Sequence, residues 1–369
     1  MKKPFQRIDL IVKTPIGLEN VAASRIEELG FEGDVHPKPS GYPGIVTVTL
    51  SDENEKQEIA EKIRREIPEA ERVLVSRIST TAAMKRIVDA AVKVASEVLD
   101  SGKTFAVRTV RRGSHPYTSV DVNYKAGSAI LERIDATVNL DYPEKIIWIE
   151  IIDDKAAVGI LDGSEVWRKM KPGKQEVRSF FSKASVIQIP YLGDMKASES
   201  MGSRIGRAVQ MFEVGEFVIG TVGPCDARRL RWFMNGVFEG IDSRYQIQRR
   251  TYAHKPRRVK VLIQDLYQLI RDRRSEPKII FEPEGEIFSR VSDKIADLFL
   301  KEDERINLLF GSREGIPKGL FRFADLIVDL CPGITLSTEY AASSALIGIS
   351  FALQDRMESL SEAKHSRRI

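Results

Sequence analysis

Cysteine is almost absent from this chain: 369 residues include two, Cys225 and Cys331, and no Cys-x-x-Cys pair. That argues against a disulfide scaffold or a cysteine zinc site and suits a reducing, cytoplasmic setting. Histidine is nearly as scarce. The four, His36, His115, His254 and His365, are scattered without a paired spacing, so no metal is expected. No apolar run reaches the ~20 residues that span a bilayer. The opening MKKPFQRIDL lacks a signal-peptide core, so no membrane partner is expected either. A large charge of one sign is missing too: formal charge is +4, with pI near 8.8. Basic residues must therefore be concentrated locally to matter.

What is present is a soluble composition long enough for two or three domains. Residues 7–13 read as a strand, 18–29 as an amphipathic helix, then two strands, a helix to about Glu66 and a strand at 72–75. This β-α-β-β-α-β order is that of a ferredoxin-like split unit, residues 1–80. A helix over 81–99 leads to a strand at 104–110 that runs into Arg111-Arg112-Gly113-Ser114-His115. Ser119 is positioned to cap the next helix. Arg108, Arg111, Arg112, His115 and Tyr117 cluster here, cations for phosphate beside rings for stacking, which suits single-stranded RNA. A solvated basic strand edge is the plainer alternative.

Residues 164–184 read as a basic linker whose Lys and Arg would face phosphate. From Ser185 an alternating β/α region begins. It contains the most basic stretch, 244–260, with seven Lys or Arg and no acid. Arg249, Arg250, Lys255, Arg257 and Arg258, interleaved with Tyr245, Tyr252 and His254, suit a nucleic-acid surface. Residues 259–271 read as a helix. Three segments then look like strand ends: Glu282–Gly285 after strand 278–281, Gly311–Gly319 after 306–310, and Cys331–Gly333 after 326–330. Ligands bind where such loops leave the carboxyl ends of strands.

Two stretches carry family resemblances. FAVRTVRRGSHPYTSVDVNYKAGSAI, with VNLDYPEKIIWIEI, resembles the THUMP domain, residues 81–163, and the preceding unit resembles the domain that accompanies it. The resemblance implies docking on the single-stranded acceptor end of tRNA. Residues 185–369 resemble a SPOUT, or α/β-knot, methyltransferase, in which the C-terminal segment threads back through a loop. The matching segments are GSRIGRAVQMFEVGEFVIGT, Phe310-Gly-Ser-Arg-Glu-Gly-Ile316 and Leu336-Ser-Thr-Glu-Tyr-Ala341. Met201 and Ser337 depart from the pattern, standing where asparagine and arginine are usual.

That second resemblance implies S-adenosylmethionine held by Pro283, Gly285, Phe310, Gly311, Ser312, Gly315, Ile316, Leu330, Gly333, Ile334, Leu336 and Ala341. Arg207, Glu314 and Ser337 are then the catalytic candidates. It implies a homodimer and methylation of tRNA at a ribose hydroxyl or a base. The rival expectation is a non-catalytic tRNA-binding adaptor with a degenerate SPOUT domain. A small-molecule α/β enzyme would leave residues 244–260 unexplained.

Overall fold

The computed structural model describes residues 7–171, 173–301 and 304–366. The chain forms two compact units, 1–174 and 175–369. The expected linker 164–184 is thus divided between them.

The first unit is an eight-stranded sheet. Its strands are β1 (Leu10–Lys13), β2 (Gly33–Pro37), β3 (Ile45–Leu50), β4 (Arg72–Thr81), β5 (Thr104–Arg112), β6 (Thr137–Val138), β7 (Lys145–Ile152) and β8 (Lys155–Asp162). Helices α1 (Glu19–Glu27) and α2 (Lys56–Glu66) complete the expected split unit, whose strands lie in the order β2-β3-β1-β4. β4 continues into the second half through β8, giving β4-β8-β7-β5-β6. Helices α3 (Met84–Ser96) and α4 (Ser119–Leu131) cover that half, burying Ile87, Val94, Val122 and Ile130 against Phe105 and Ile149. The cap of α4 is one residue earlier than expected. Thr118 Oγ1 accepts from the Asp121 N–H while the Asp121 carboxylate accepts from the Thr118 N–H, a reciprocal capping box.

Glu19, at the start of α1, is a buried carboxylate. Its oxygens accept from the N–H of Gly44 at 2.6 Å and of Gly17 at 3.0 Å, with the Lys38 ammonium at 3.4 Å. The Gly44 N–H is the largest influence, and together these groups hold its pKa at about 2. A folded value below the unfolded ~4.3 stabilises the fold above that pH, and the contribution is lost as pH falls toward the folded value. Glu19→Gln is therefore expected to lower the melting temperature at neutral pH and much less in strong acid. Thermal melts across pH check this; an equal loss at both ends would show that the charge is not the source.

The second unit begins with α5 (Arg178–Phe181) and is organised on six parallel strands in the order β11-β10-β9-β13-β12-β14. They are β9 (Ala184–Gln188), β10 (Glu216–Thr221), β11 (Lys260–Asp265), β12 (Lys278–Ile287), β13 (Ile306–Phe310) and β14 (Leu326–Asp329). Both faces of the central strands β9, β10 and β13 are covered, so these read as largely apolar runs. Phe217, Ile219, Leu308 and Phe310 face the helices α6 (Met195–Phe212), α7 (Ala227–Thr251), α9 (Phe288–Leu300) and α10 (Thr338–Ser366). The alternate residues Ile187, Val218, Ile280 and Leu309 face α8 (Leu266–Asp272) and the segment around Leu320.

The expected helix over 259–271 is instead a strand and a short helix. β-Branched and aliphatic residues at 261–263 pair in parallel with β10, and Asp265 caps α8 by accepting from the Gln268 N–H at 2.9 Å. α7 runs on to Thr251, so Arg244, Arg249 and Arg250 of the basic stretch lie on it.

α6 and α7 touch backbone to backbone. A Cβ at Gly202 would sit 2.2 Å from the Phe233 carbonyl oxygen, and one at Gly206 2.3 Å from that of Val237. In return, Gly236 and Gly240 would meet the carbonyls of Glu199 and Ser203 at 2.0 and 2.1 Å. Two small-x3-small pairs therefore face each other, and a side chain at any of the four would push the helices apart.

Candidate functional site

At the carboxyl ends of β13 and β14, beside the middle of β12, the structure forms a cleft of about 180 Å³. Its lining includes the apolar Phe281, Val328, Leu330, Ile334, Leu336 and Ala341. Glu282, Pro283, Gly311, Ser312, Arg313 and Gly315 also line it, with Asp329, Cys331, Thr335 and Thr338. Ile334 stands 60 % exposed at the rim.

The cleft exists because three chain segments are tied together at one sheet end. The Glu282–Gly285 segment is an excursion inside β12, not a loop after it: β12 pairs with β14 up to Phe281 and resumes at Glu286, both opposite Val328. Glu282 Oε1 accepts from the Ile316 N–H at 2.7 Å, clamping the Gly311 loop to that excursion. From the far side the buried Gln188 donates through Nε2 to the Gly311 carbonyl at 2.6 Å. Asp329 Oδ1 accepts from the Cys331 N–H at 3.0 Å and shapes the third loop. Burial pushes the Glu282 carboxyl above its ordinary value, with the Ile316 N–H pulling the other way. Neighbouring Glu284 is held below the usual range by its bond to Lys318.

Of the residues expected at a cofactor, Pro283, Gly311, Ser312, Gly315, Leu330, Ile334, Leu336 and Ala341 meet in this lining. Four lie outside it. Gly285 packs against the β14 backbone, where a Cβ would meet the Val328 nitrogen at 2.3 Å. Phe310 is core, stacked on Phe281 at 5.0 Å, and Ile316 is buried on the opposite sheet face. Gly333 turns with φ +79° and lies beside the lining rather than in it. Glu314 and Ser337 are exposed neighbours of lining residues. Arg207 lies on α6, donating to Ser243 Oγ of α7 at 2.7 Å. Another α6 arginine reaches toward the third loop: Arg204 pairs with the buried Glu339, in the first turn of α10, at 2.9 Å. Glu282 and Arg204 are missed by sequence reasoning. The acidic pair flanking Pro283 is a signal for the former; nothing local distinguishes Arg204 from Arg207.

A family profile described as "AF2226-like SPOUT RNA Methylase fused to THUMP" matches residues 178–368, and a THUMP profile matches 81–161. The chain belongs to the SPOUT RNA methylases fused to THUMP. An uncharacterized protein of Methanocaldococcus jannaschii is 40 % identical over 341 residues, covering 92 % of each chain. A tRNA (guanine(6)-N2)-methyltransferase of the same organism is 37 % identical over 71 residues, which is 18 % of this chain and 19 % of that one. Among solved structures, PH1313 of Pyrococcus horikoshii aligns over 92 % of this chain and 99 % of its own, at 18 % identity and a TM-score of 0.37.

In the THUMP domain the expected basic cluster is largely engaged. Arg112 pairs with the buried Glu150 at 2.7 Å, beside Lys13 at 2.5 Å, so it is a structural cation. Arg111 donates to the Gly113 carbonyl at 3.0 Å, Arg108 to that of Leu140, and Tyr117 to that of Ala82. His115 Nε2 sits 2.6 Å from the Asp153 carbonyl.

The SPOUT domain compensates its acid-free stretch from elsewhere in the chain. Buried Glu213 takes His254 at 2.8 Å and the Arg257 N–H at 2.9 Å, and Asp242 pairs with Arg258. Arg249, Arg250 and Lys255 are exposed and have no carboxylate partner among the described residues. Arg249 lies over the Tyr245 ring at 6.0 Å. No described helix is long and apolar enough to cross a membrane, and no described His, Cys, Asp and Glu group is placed to hold a metal.

Proposed function

We propose that this protein is a cytoplasmic, S-adenosylmethionine-dependent tRNA methyltransferase, with the THUMP domain binding the acceptor end and the SPOUT domain acting on a ribose hydroxyl or a base. One observation carries the reading: a cleft lined by apolar side chains and a clamped glycine loop, beside the carboxyl ends of β13 and β14, in a SPOUT domain. The residues suit the cofactor. Leu330, Ile334, Leu336 and Ala341 offer a flat apolar surface to a purine, Gly311 and Ser312 bring backbone close, and Glu282 and Asp329 supply negative charge for a cationic ligand. The bound cofactor supplies an electrophilic methyl group.

The remaining task of the protein is positioning, which can supply ~7–11 kcal/mol. Glu314 and Ser337, at the edge of the cleft, would face the substrate. Arg207, exposed on α6, would hold phosphate. Arg108, Arg111, His115 and Tyr117, with Arg249, Arg250 and Lys255, are the proposed RNA contacts. The chain's own THUMP domain, and relatives named as tRNA (guanine(6)-N2)-methyltransferases, support tRNA as substrate.

A homodimer fits the exposed face of α10. Tyr340, Ile347 and Phe351, spaced seven and four residues apart, lie on one helix face, and Phe351 is 61 % exposed. Phe351→Glu is expected to turn the dimer into a monomer in sedimentation equilibrium, and an unchanged mass would remove this face from the interface.

Calorimetry of the full chain with S-adenosylmethionine tests the enzyme reading. Binding with a Kd at or below about micromolar is expected. Absence of binding at about millimolar cofactor would sink it and favour a tRNA-binding adaptor, the reading that Met201, packed against the core where asparagine is usual, favours. Mass spectrometry of tRNA from a deletion strain then identifies the modified position.

A further inference from the structure

The segment at 163–171, near the end of the first unit, exposes a tryptophan. Trp167 is 95 % exposed, although an indole is among the most favourable side chains to bury. It sits in a run, 166–174, with four cations (Arg168, Lys169, Lys171 and Lys174) and no acid. The segment lies along the turn before β7, and a cleft of about 430 Å³ separates the two, lined by Tyr142, Pro143, Val166, Arg168 and Lys171 among others. Tyr142 is itself 41 % exposed and carries the Arg168 guanidinium 5.6 Å from its ring centroid. Of the nearby carboxylates, Glu165 accepts from the Asp162 N–H at 3.0 Å, Glu144 from the Thr104 N–H at 2.8 Å and Asp162 pairs with Lys145, while Asp141, beside Tyr142, is exposed.

An exposed aromatic platform, a second ring capped by arginine and lysines along a groove are the parts of a surface for unpaired nucleotides. Any base can stack on a ring face, and the cations track the backbone. A duplex keeps its bases stacked on each other and has none to offer.

We propose that Trp167, Tyr142 and Arg168, with Lys169 and Lys171, form a binding site for single-stranded RNA, separate from the β5 cluster. One base stacks on Trp167 and the phosphates run past the cations into the cleft. This rests on the reading of the chain as a tRNA-binding protein, and it adds a second contact to that reading.

The test is titration of the full chain with a single-stranded RNA oligonucleotide, and with the same sequence as a blunt duplex, read by tryptophan emission and by affinity. Trp148 is buried and Trp232 half-buried, so Trp167 is the exposed reporter. The expected result is quenching by the single strand and little by the duplex. Trp167→Leu should weaken single-strand binding by about ten-fold, and Trp167→Phe should restore most of it. Wild-type binding that Trp167→Leu leaves unchanged, with no quenching, overturns this site and leaves the tRNA reading standing. Wild type that binds neither this probe nor tRNA overturns both. Self-association that Trp167→Leu abolishes overturns it in favour of a second copy of the chain.

Discussion

Gly311→Val is expected to abolish S-adenosylmethionine binding by the full chain while tRNA binding stays intact. A Cβ at Gly311 would lie 2.5 Å from Glu282 Oε1 and 2.8 Å from the Gly315 Cα, before the two further methyls of valine are added. The Glu282 oxygen cannot retreat without giving up the Ile316 N–H it holds at 2.7 Å. Overpacking of this kind costs ~1–3 kcal/mol, and here it falls on the loop that forms one wall of the cleft. At the upper end of that range the loss in affinity is ~100-fold. Gly319→Val is the control in the same loop: a Cβ there meets nothing within 4 Å, and its φ is not positive. Calorimetry with cofactor and filter binding with tRNA read the two activities. Equal behaviour of the two variants, or parallel loss of cofactor and tRNA binding, would dismiss Glu282 and the glycine loop as the cofactor wall.

Arg273→Ala has the opposite signature: a large loss of stability with the site intact. Arg273 is buried at the amino end of the parallel sheet, away from the cleft. It donates to Ser185 Oγ of β9 at 2.7 Å and to Asn307 Oδ1 of β13 at 2.8 Å, and it pairs with Glu216 of β10 at 2.8 Å. Its removal leaves several buried acceptors short of a donor, and breaking a buried ion pair of this kind costs ~3–5 kcal/mol. Chemical denaturation should show that loss, while the fraction still folded binds cofactor with unchanged affinity. A variant with normal stability would mean that water or Arg305 replaces the guanidinium.

The parts legible in sequence are those written in local pattern. Residues 306–310 and 326–330 are apolar apart from Asn307 and Asp329, and each gives a strand packed from both faces. The glycine loops after them mark the cleft, and eight of the residues expected there meet in its lining. What escapes depends on partners far along the chain. The stretch 244–260 lacks acids, yet Glu213 lies 41 residues from His254 and neutralises part of it. Arg112 reads as a free cation until β7 brings Glu150, 38 residues on, against it. Residues 282–285 read as the end of a strand because a break in pairing within β12 is set by β14, not by its own sequence. Likewise 259–271 mixes two short elements whose apolar positions, taken together, imitate one helix.

The contact between α6 and α7 has a mechanical consequence. Helices that meet through side chains can slide a fraction of an ångström as rotamers change. Where glycine backbone rests on carbonyl oxygen, as at Gly202, Gly206, Gly236 and Gly240, no rotamer stands between the axes to give way. The pair therefore acts as a single stiff strut along one face of the sheet. Yielding of this domain to a ligand is then left to the cleft, where the glycine loop is held to β12 only through side chains, by the Glu282 carboxylate and the Glu284–Lys318 pair.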